Sequence, residues 1–170
     1  MFVEFDQLPS DARVWIYTSN RKITPSDAAL IDRALRDFTH EWAAHGAPLK
    51  SSYKILQDHF ILLAVDEQAQ GPSGCSIDTS VNVIKKIGAE TGINFFDRSL
   101  VPFIIEDEVV LLRLGDLKQK YNSGVWNGQT ATFNILAGTL REVRDHWIMP
   151  AEKSWLKRYM DPLRQDSFAG

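Results

Sequence analysis

Residues 60–65 read FILLAV, a run that no polar side chain interrupts. A strand with one wet face alternates apolar and polar residues, so a continuous apolar run indicates a strand that is buried on both faces. Such a strand belongs at the centre of a sheet. The preceding run SSYKILQ (51–57) does alternate, with Lys54 on its polar face, and Gln57-Asp58 suits a tight turn between the two strands.

A further strand and a helix come before this pair. ARVWIYT (12–18) is rich in β-branched and aromatic residues, which predicts a buried strand. Thr24 is a suitable helix cap, Pro25 fits the first turn, and Asp27 suits the positive end of the helix dipole. We expect this helix to end at Gly46. Its apolar stripe, at spacings of four, three and four residues, consists of Ile31, Leu35, Phe38 and Trp42.

A second helix and two more strands follow. The helix is expected to begin near Ser76 and to stop at Gly92, with one apolar stripe formed by Ile77, Val81 and Ile84. LVPFII (100–105) reads as a strand, and because Pro102 has no N–H, we place that strand at a sheet edge. EVVLLRL (108–114) is expected to pair with it across a short turn.

The order β-α-β-β-α-β predicts an α+β fold, a ferredoxin-like sandwich in which the first and third strands are central. A C-terminal helical extension follows, with a helix capped by Thr139, whose partner Glu142 has the capping-box spacing, and closed by Pro150. We therefore predict a single domain over residues 1–170, with a core at 12–114, an extension at 115–160 and a loose tail at 161–170.

Composition limits the class of protein. The chain has 170 residues with 19 basic and 22 acidic side chains, a net charge of −3, which argues against a nucleic-acid binder. The single cysteine, Cys75, excludes an internal disulfide. The N-terminus lacks the basic region of a signal peptide, and no apolar run approaches the ~18 residues of a membrane span. We expect a soluble cytoplasmic protein that does not bind membranes.

Residues 70–80, QGPSGCSIDTS, begin like a phosphate-binding loop. The full motif is G-x-x-x-x-G-K-[ST]. With Gly71 as the first glycine, Ser76 replaces the second glycine, Ile77 the lysine, and Asp78 the magnesium-binding hydroxyl. This degenerate loop lacks the lysine and carries a negative charge where phosphates would lie, so we predict neither ATP binding nor ATP hydrolysis. No cysteine pair, H-x-x-x-H motif or calcium loop is present, and we expect no metal and no cofactor.

Several runs resemble a known family. HGAPLKSSY, LLAVDE, GCSIDTSV and a late SW are similar to a small family of soluble bacterial proteins whose members often carry the label "ABC transporter ATPase". The resemblance spans most of the chain, from FDQLP to KSWLKRY. It implies a soluble protein of one domain, and it implies no catalytic residues.

The predicted topology gathers reactive residue types at one end of the sheet, which we call the rim. The candidate catalytic residues there are Cys75, His45 and Asp66, and the candidate ligand-binding residues are Ser76, Asp78 and Glu67. A helix N-terminus favours a thiolate and can also hold a small anion, and a neighbouring histidine can act as a base.

Each of these residues also has a structural interpretation. Cys75 is compatible with a small buried residue, Ser76 and Asp78 with helix caps, His45 with a helix end, and Asp66-Glu67 with a solvated strand end. Two functions therefore stay open. One is a non-catalytic binding or interaction module for an unknown protein or a small anionic ligand, and this is the reading we favour. The alternative is a thiol-dependent or anion-binding enzyme at the rim. An exposed thiol within hydrogen-bond reach of His45 would favour the enzyme, and a buried thiol packed on aliphatic side chains would favour the module.

Overall fold

The computed structural model describes residues 1–160, so the predicted loose tail at 161–170 lies outside the described residues. The chain mixes helices with several antiparallel sheets. It divides into two compact units: the first comprises Met1–Asp97 and Ile135–Asp145, and the second comprises Arg98–Asn134 and residues 146–160. The single domain, with a boundary between core and extension after residue 114, stays a prediction, and the two units divide the chain at other positions.

The strands and helices are numbered along the chain. The strands are β1 (Arg13–Thr18), β2 (Ala43–Ala44), β3 (Ala47–Pro48), β4 (Lys50–Leu56), β5 (Phe60–Asp66), β6 (Leu100–Ile105), β7 (Glu108–Arg113), β8 (Ala131–Phe133) and β9 (Ile148–Pro150). The α-helices are α1 (Pro25–Glu41), α2 (Gly74–Thr91), α3 (Leu117–Asn122) and α4 (Leu140–His146). Short 3-10 helices lie at Phe5–Gln7, Leu114–Asp116, Ala151–Lys153 and Trp155–Tyr159.

The first unit is built around a three-stranded antiparallel sheet of order β1-β5-β4. Every residue from Phe60 to Val65 is fully buried, which confirms β5 as a central strand with two covered faces. The turn predicted between β4 and β5 is also confirmed, since Gln57 and Asp58 both have positive φ (46° and 51°) and connect directly paired strands. Ile31 and Leu35 of α1 and Ile84 of α2 pack in one core with Ile61 of β5.

The start of α1 forms as predicted. Thr24 caps the helix, and its side chain and that of Asp27 complete a reciprocal capping box. The predicted end of α1 is wrong, because the helix stops at Glu41 and Trp42 already has extended geometry. Gly46 instead lies in the two-residue turn between β2 and β3.

Helix α2 begins earlier than predicted. Its cap is Ser73, so the helix starts at Gly74 and Ser76 lies within the first turn. Ile84 lies on the buried face of α2 as predicted, but Ile77 and Val81 are only half-buried. The rest of the buried face is formed by Ser76, Ser80 and Ile87. Gly92 ends the helix in left-handed geometry (φ 76°), as the sequence predicted.

The second unit contains a four-stranded antiparallel sheet of order β7-β6-β8-β9. Strand β6 (Leu100–Ile105) belongs to this sheet, and it was expected to complete the sheet of the first unit. The place beside β1 is taken by a short segment, because Gly138 accepts a hydrogen bond from the backbone N–H of Val14 (3.1 Å) and Thr139 forms a bridge with Arg13. The ferredoxin-like sheet is therefore not formed as predicted, and β1 is not a central strand of the three.

Two prolines occupy positions other than those expected. Pro102 lies in β6, which is flanked by β7 and β8 and is therefore not an edge strand. The ladder between β6 and β8 involves only Phe103 and Ile104, so Pro102 needs no N–H for it. Pro150 does not close a helix but ends β9. The predicted pairing of β6 with β7 is confirmed over their whole length.

The core of the second unit has its own aromatic centre. Trp126 is buried against Phe103 (5.2 Å between ring centroids) and Tyr121 (5.1 Å), and its indole N–H donates to the carbonyl of Leu117 (2.9 Å). A buried indole needs such a partner, because an unpaired N–H costs free energy. This unit therefore has an internal core of its own.

Candidate functional site

The loop that enters α2 is closed by its own serines. The backbone N–H of Ser76 donates to the hydroxyl of Ser73 (3.1 Å), and the backbone N–H of Ser73 donates to the hydroxyl of Ser76 (2.7 Å). The Ser76 hydroxyl also donates to the Ser73 carbonyl (2.8 Å). Ser76 is buried and its hydroxyl is occupied by these bonds, so it serves the helix start.

Cys75 lies in the first turn of α2 with an exposed thiol. Cys75 is therefore not a core residue. Its exposure meets the first of the two conditions for an enzyme, an exposed thiol, and the second is a contact with His45. Its carbonyl accepts a hydrogen bond from the hydroxyl of Thr79 (2.9 Å), an ordinary contact within a helix. Asp78, one turn along the same helix, is also exposed.

His45 lies at the tip of the β2–β3 hairpin, where it is exposed and has positive φ (51°). It is not at a helix end. This hairpin lies beside α2, since β2 contacts α2 and the indole N–H of Trp42, just before β2, donates to the carbonyl of Ser76 (2.9 Å). Within residues 1–160, however, no hydrogen bond joins His45 to Cys75.

The two acidic residues that follow β5 are used by the chain itself. The Asp66 carboxylate accepts from the backbone N–H of Gln68 (3.0 Å), which shapes the turn. Glu67 pairs with Arg13 at 3.6 Å, and both side chains are largely exposed, so this pair contributes little stability. Arg13 also stacks over the ring of Trp15 (4.8 Å from Cζ to the ring centroid).

The rim is thus assembled as a backbone arrangement. The start of β1 and the end of β5 face each other in register, with Arg13 opposite Val65, and the hairpin carrying His45 lies beside α2. The catalytic side chains proposed from the sequence, Cys75, His45 and Asp66, do not form a hydrogen-bonded set. In the described part of the chain, no three acidic, histidine or cysteine side chains are grouped so as to hold a metal ion.

A different surface was missed by the sequence reasoning, and it lies in the second unit. Strand β7 pairs with β6 on one side only, and within the described residues no strand pairs with its other side. Four consecutive apolar residues occupy this edge, Val109, Val110, Leu111 and Leu112, and all are only half-buried. The signal was present in the sequence as EVVLLR, an apolar strand without an internal proline or lysine to protect its edge.

Comparison of the chain with protein-family models, with characterised proteins and with solved structures finds no match. None of the helices in residues 1–160 is long and apolar enough to cross a membrane. The geometry of the rim and of the β7 edge is therefore what bears on function.

Proposed function

We propose that this protein is an interaction module that binds an extended protein segment along the outer edge of β7. The observation that carries the proposal is that β7 is unpaired on its outer side in the described structure and is apolar along four consecutive residues. An exposed strand of this kind is a template for another strand, which adds through main-chain hydrogen bonds.

The register of β7 identifies the groups that would make those bonds. Ile105 and Glu108 flank a two-residue turn and face each other, so they form the first hydrogen-bonded pair of the hairpin. Because such pairs alternate along an antiparallel ladder, the main-chain groups of Glu108, Val110 and Leu112 point toward β6. Those of Val109, Leu111 and Arg113 point outward, where a partner strand would meet them.

Selection from a displayed library of short peptides tests this proposal. The protein is immobilised sparsely, so that copies cannot meet, and enriched peptides are tested against Leu111→Pro, which removes an outward N–H. Leu136→Pro is the matched control, since Leu136 is an exposed leucine outside every strand. We expect extended apolar peptides that bind the parent and the control and fail to bind Leu111→Pro.

A second edge variant guards against misfolding. Leu111→Lys keeps the backbone N–H and places a charge on the edge, which also disfavours strand addition. Both edge variants should retain the circular dichroism spectrum of the parent. Peptides that bind all variants equally, or a library that yields no binder, would contradict the proposal.

Thiol or anion chemistry at the rim is a second candidate, and the exposure of Cys75 in the first turn of α2 favours it. The first turn of a helix offers free N–H groups that stabilise a thiolate or a bound anion. Because Cys75 is the sole cysteine, a neutral disulfide reagent reports on it alone. A functional thiol should react at neutral pH faster than an unstructured cysteine peptide, and His45→Ala should slow it.

The same reaction separates the two versions of this candidate. Inorganic phosphate that slows the reaction saturably would support an anion site at the start of α2. A thiol that reacts like the unstructured peptide at every pH, and that is indifferent to both His45→Ala and phosphate, would remove the rim as a reactive site.

A further inference from the structure

The other edges of the three-stranded and four-stranded sheets each carry some protection. At β4, the N-terminal segment runs alongside, and Val3 donates its backbone N–H to the carbonyl of Ser51 (3.0 Å). At β1, the N–H of Val14 bonds to the carbonyl of Gly138 (3.1 Å). The edge strand β9 has three residues and ends in Pro150. Short strands, prolines and covering segments are the usual protection against edge pairing, and β7 has none of them.

The charges at the two ends of β7 are opposite in sign. Residues 106–108 are all acidic and exposed, and they form the turn and the first position of the strand. Arg113 at the far end is exposed as well. Among the described residues, neither Asp107 nor Arg113 takes part in an ion pair. Two copies of β7 that run antiparallel therefore bring the acidic end of each beside the basic end of the other.

We propose that the occupant of this edge is β7 of a second copy of the chain, so that the two copies share one continuous sheet about a two-fold axis. The proposal rests on the interaction function argued above and names its partner. A two-fold axis perpendicular to a sheet keeps both copies' faces on the same side, so residues opposite each other differ by an even number of positions.

One register satisfies both the main chain and the charges. With Val110 opposite Val110 of the second copy, Val109 faces Leu111, and these are residues whose main-chain groups point outward. In the same register Arg113 reaches the turn that precedes β7, so it lies beside Asp107, which has positive φ (63°) and is outside the strand. The symmetry produces this pair twice. The apolar centre and the two charged ends of β7 are therefore complementary to themselves.

Charge reversal with mixing tests the pairing. The molecular mass in solution is followed by light scattering over a range of micromolar concentrations for the parent, Arg113→Asp and Asp107→Lys. Each variant alone places like charges opposite each other twice, so we expect the dimer dissociation constant to rise about tenfold. In an equimolar mixture both pairs become attractive again, and the dimer should return as a heterodimer near the parent's affinity.

Arg141→Asp is the matched control, because it makes the same charge change at an exposed arginine of α4. It should dimerise like the parent. A parent that is monomeric throughout, a dimer that survives both reversals, or a mixture that does not regain the dimer would overturn the proposal. A monomeric parent that still selects edge-dependent peptides would leave the interaction module standing and remove only the second copy as its partner.

Discussion

Trp42 connects three parts of the first unit through one side chain. It is 3% exposed, its ring lies against Phe38 (4.9 Å between centroids) and Trp15 (6.1 Å), and its N–H bonds to the start of α2. The helical stripe predicted Phe38 and Trp42 as equivalent members of one buried face. In the structure, Phe38 is only half-buried, because the buried face of α1 continues from Leu35 to Thr39. Trp42 lies beyond the end of the helix.

This difference predicts unequal costs for the two truncations. Trp42→Ala removes a buried ring and leaves the Ser76 carbonyl without its indole donor, so we expect a loss of about 3–5 kcal/mol in the free energy of unfolding. Phe38→Ala should cost less, about 1–2 kcal/mol, because less apolar surface is buried there. Urea unfolding of both variants measures the two losses, and equal losses would contradict the placement of Trp42.

Asp27 predicts a pH dependence. The hydrogen bond from Arg21 (2.6 Å), and then that from the backbone N–H of Thr24 (2.9 Å), hold the pKa of the Asp27 carboxyl well below its usual range. A carboxyl with a lowered pKa in the folded state stabilises the protein fully above its unfolded pKa, near 3.9, and this contribution is lost as pH falls toward the folded value.

Asp27→Asn should therefore cost about 1–3 kcal/mol at pH 7, since it removes the charged acceptor of the capping box. The gap in unfolding free energy between parent and variant should narrow when both are measured near pH 3, because the parent's carboxylate is then losing its advantage. Asp37→Asn is the control, as an exposed carboxyl on the same helix. A gap that is the same at both pH values would show that the capping box does not depend on charge.

Among the helices and strands, the features that were predicted correctly are those that depend on a few neighbouring residues. The cap at Thr24, the stop at Gly92 and the turn at Gln57-Asp58 each depend on a few adjacent residues, and all three formed as predicted. The end of α1 did not, because Gly46 with its positive φ (79°) serves the β2–β3 hairpin equally well. A glycine marks a left-handed position without saying whether a helix or a hairpin uses it.

Gly88 tests the packing at the end of α2. An alanine within a helix usually stabilises it by about 0.5–1 kcal/mol relative to glycine. A Cβ at Gly88, however, would lie 2.7 Å from the carbonyl oxygen of Ile93, so Gly88→Ala should destabilise the protein instead. Gly74→Ala, at the open start of the same helix, meets nothing within 4 Å and should be neutral or stabilising. The melting temperature should fall for Gly88→Ala and stay equal or rise for Gly74→Ala, and a stabilised Gly88→Ala would contradict the close approach.

At the scale of the whole molecule, the partners of strands were the least predictable feature. An apolar run such as LVPFII is suited to any sheet with covered faces, so the sequence pattern could not assign it to β1 or to β7 and β8. The segment that flanks β1, at Gly138 and Thr139, comes from a distant part of the chain and carries no strand pattern. The backbone of the rim could be predicted because its loops depend only on the strands β1, β5 and β4. It does not depend on which sheet β6 joins.

The side-chain contacts at the rim could not be predicted from the sequence either. Whether Ser76 binds a ligand or the backbone of Ser73 depends on where the helix begins, and a shift of two residues moved it from the edge of the site into the helix start. The apolar run of β7 was present in the sequence, but its place at a sheet edge was established only by the pairing of the other strands.

The stability of the entire protein tests whether residues 70–80, which resemble a phosphate-binding loop, bind a nucleotide. A ligand that binds only the folded state raises its stability by RT ln(1 + [L]/Kd), so ATP at one hundred times its Kd would add about 2.7 kcal/mol. The loop has Ile77 in place of the lysine and Asp78 in place of the hydroxyl, and Ser73 and Ser76 already use each other's hydrogen bonds. We therefore expect no change in melting temperature with millimolar Mg-ATP and no saturable heat in calorimetry. ATP binding that is lost in Gly74→Ala or Ser76→Ala would contradict this prediction. It would show that the loop recognises a nucleotide despite the negative charge of Asp78.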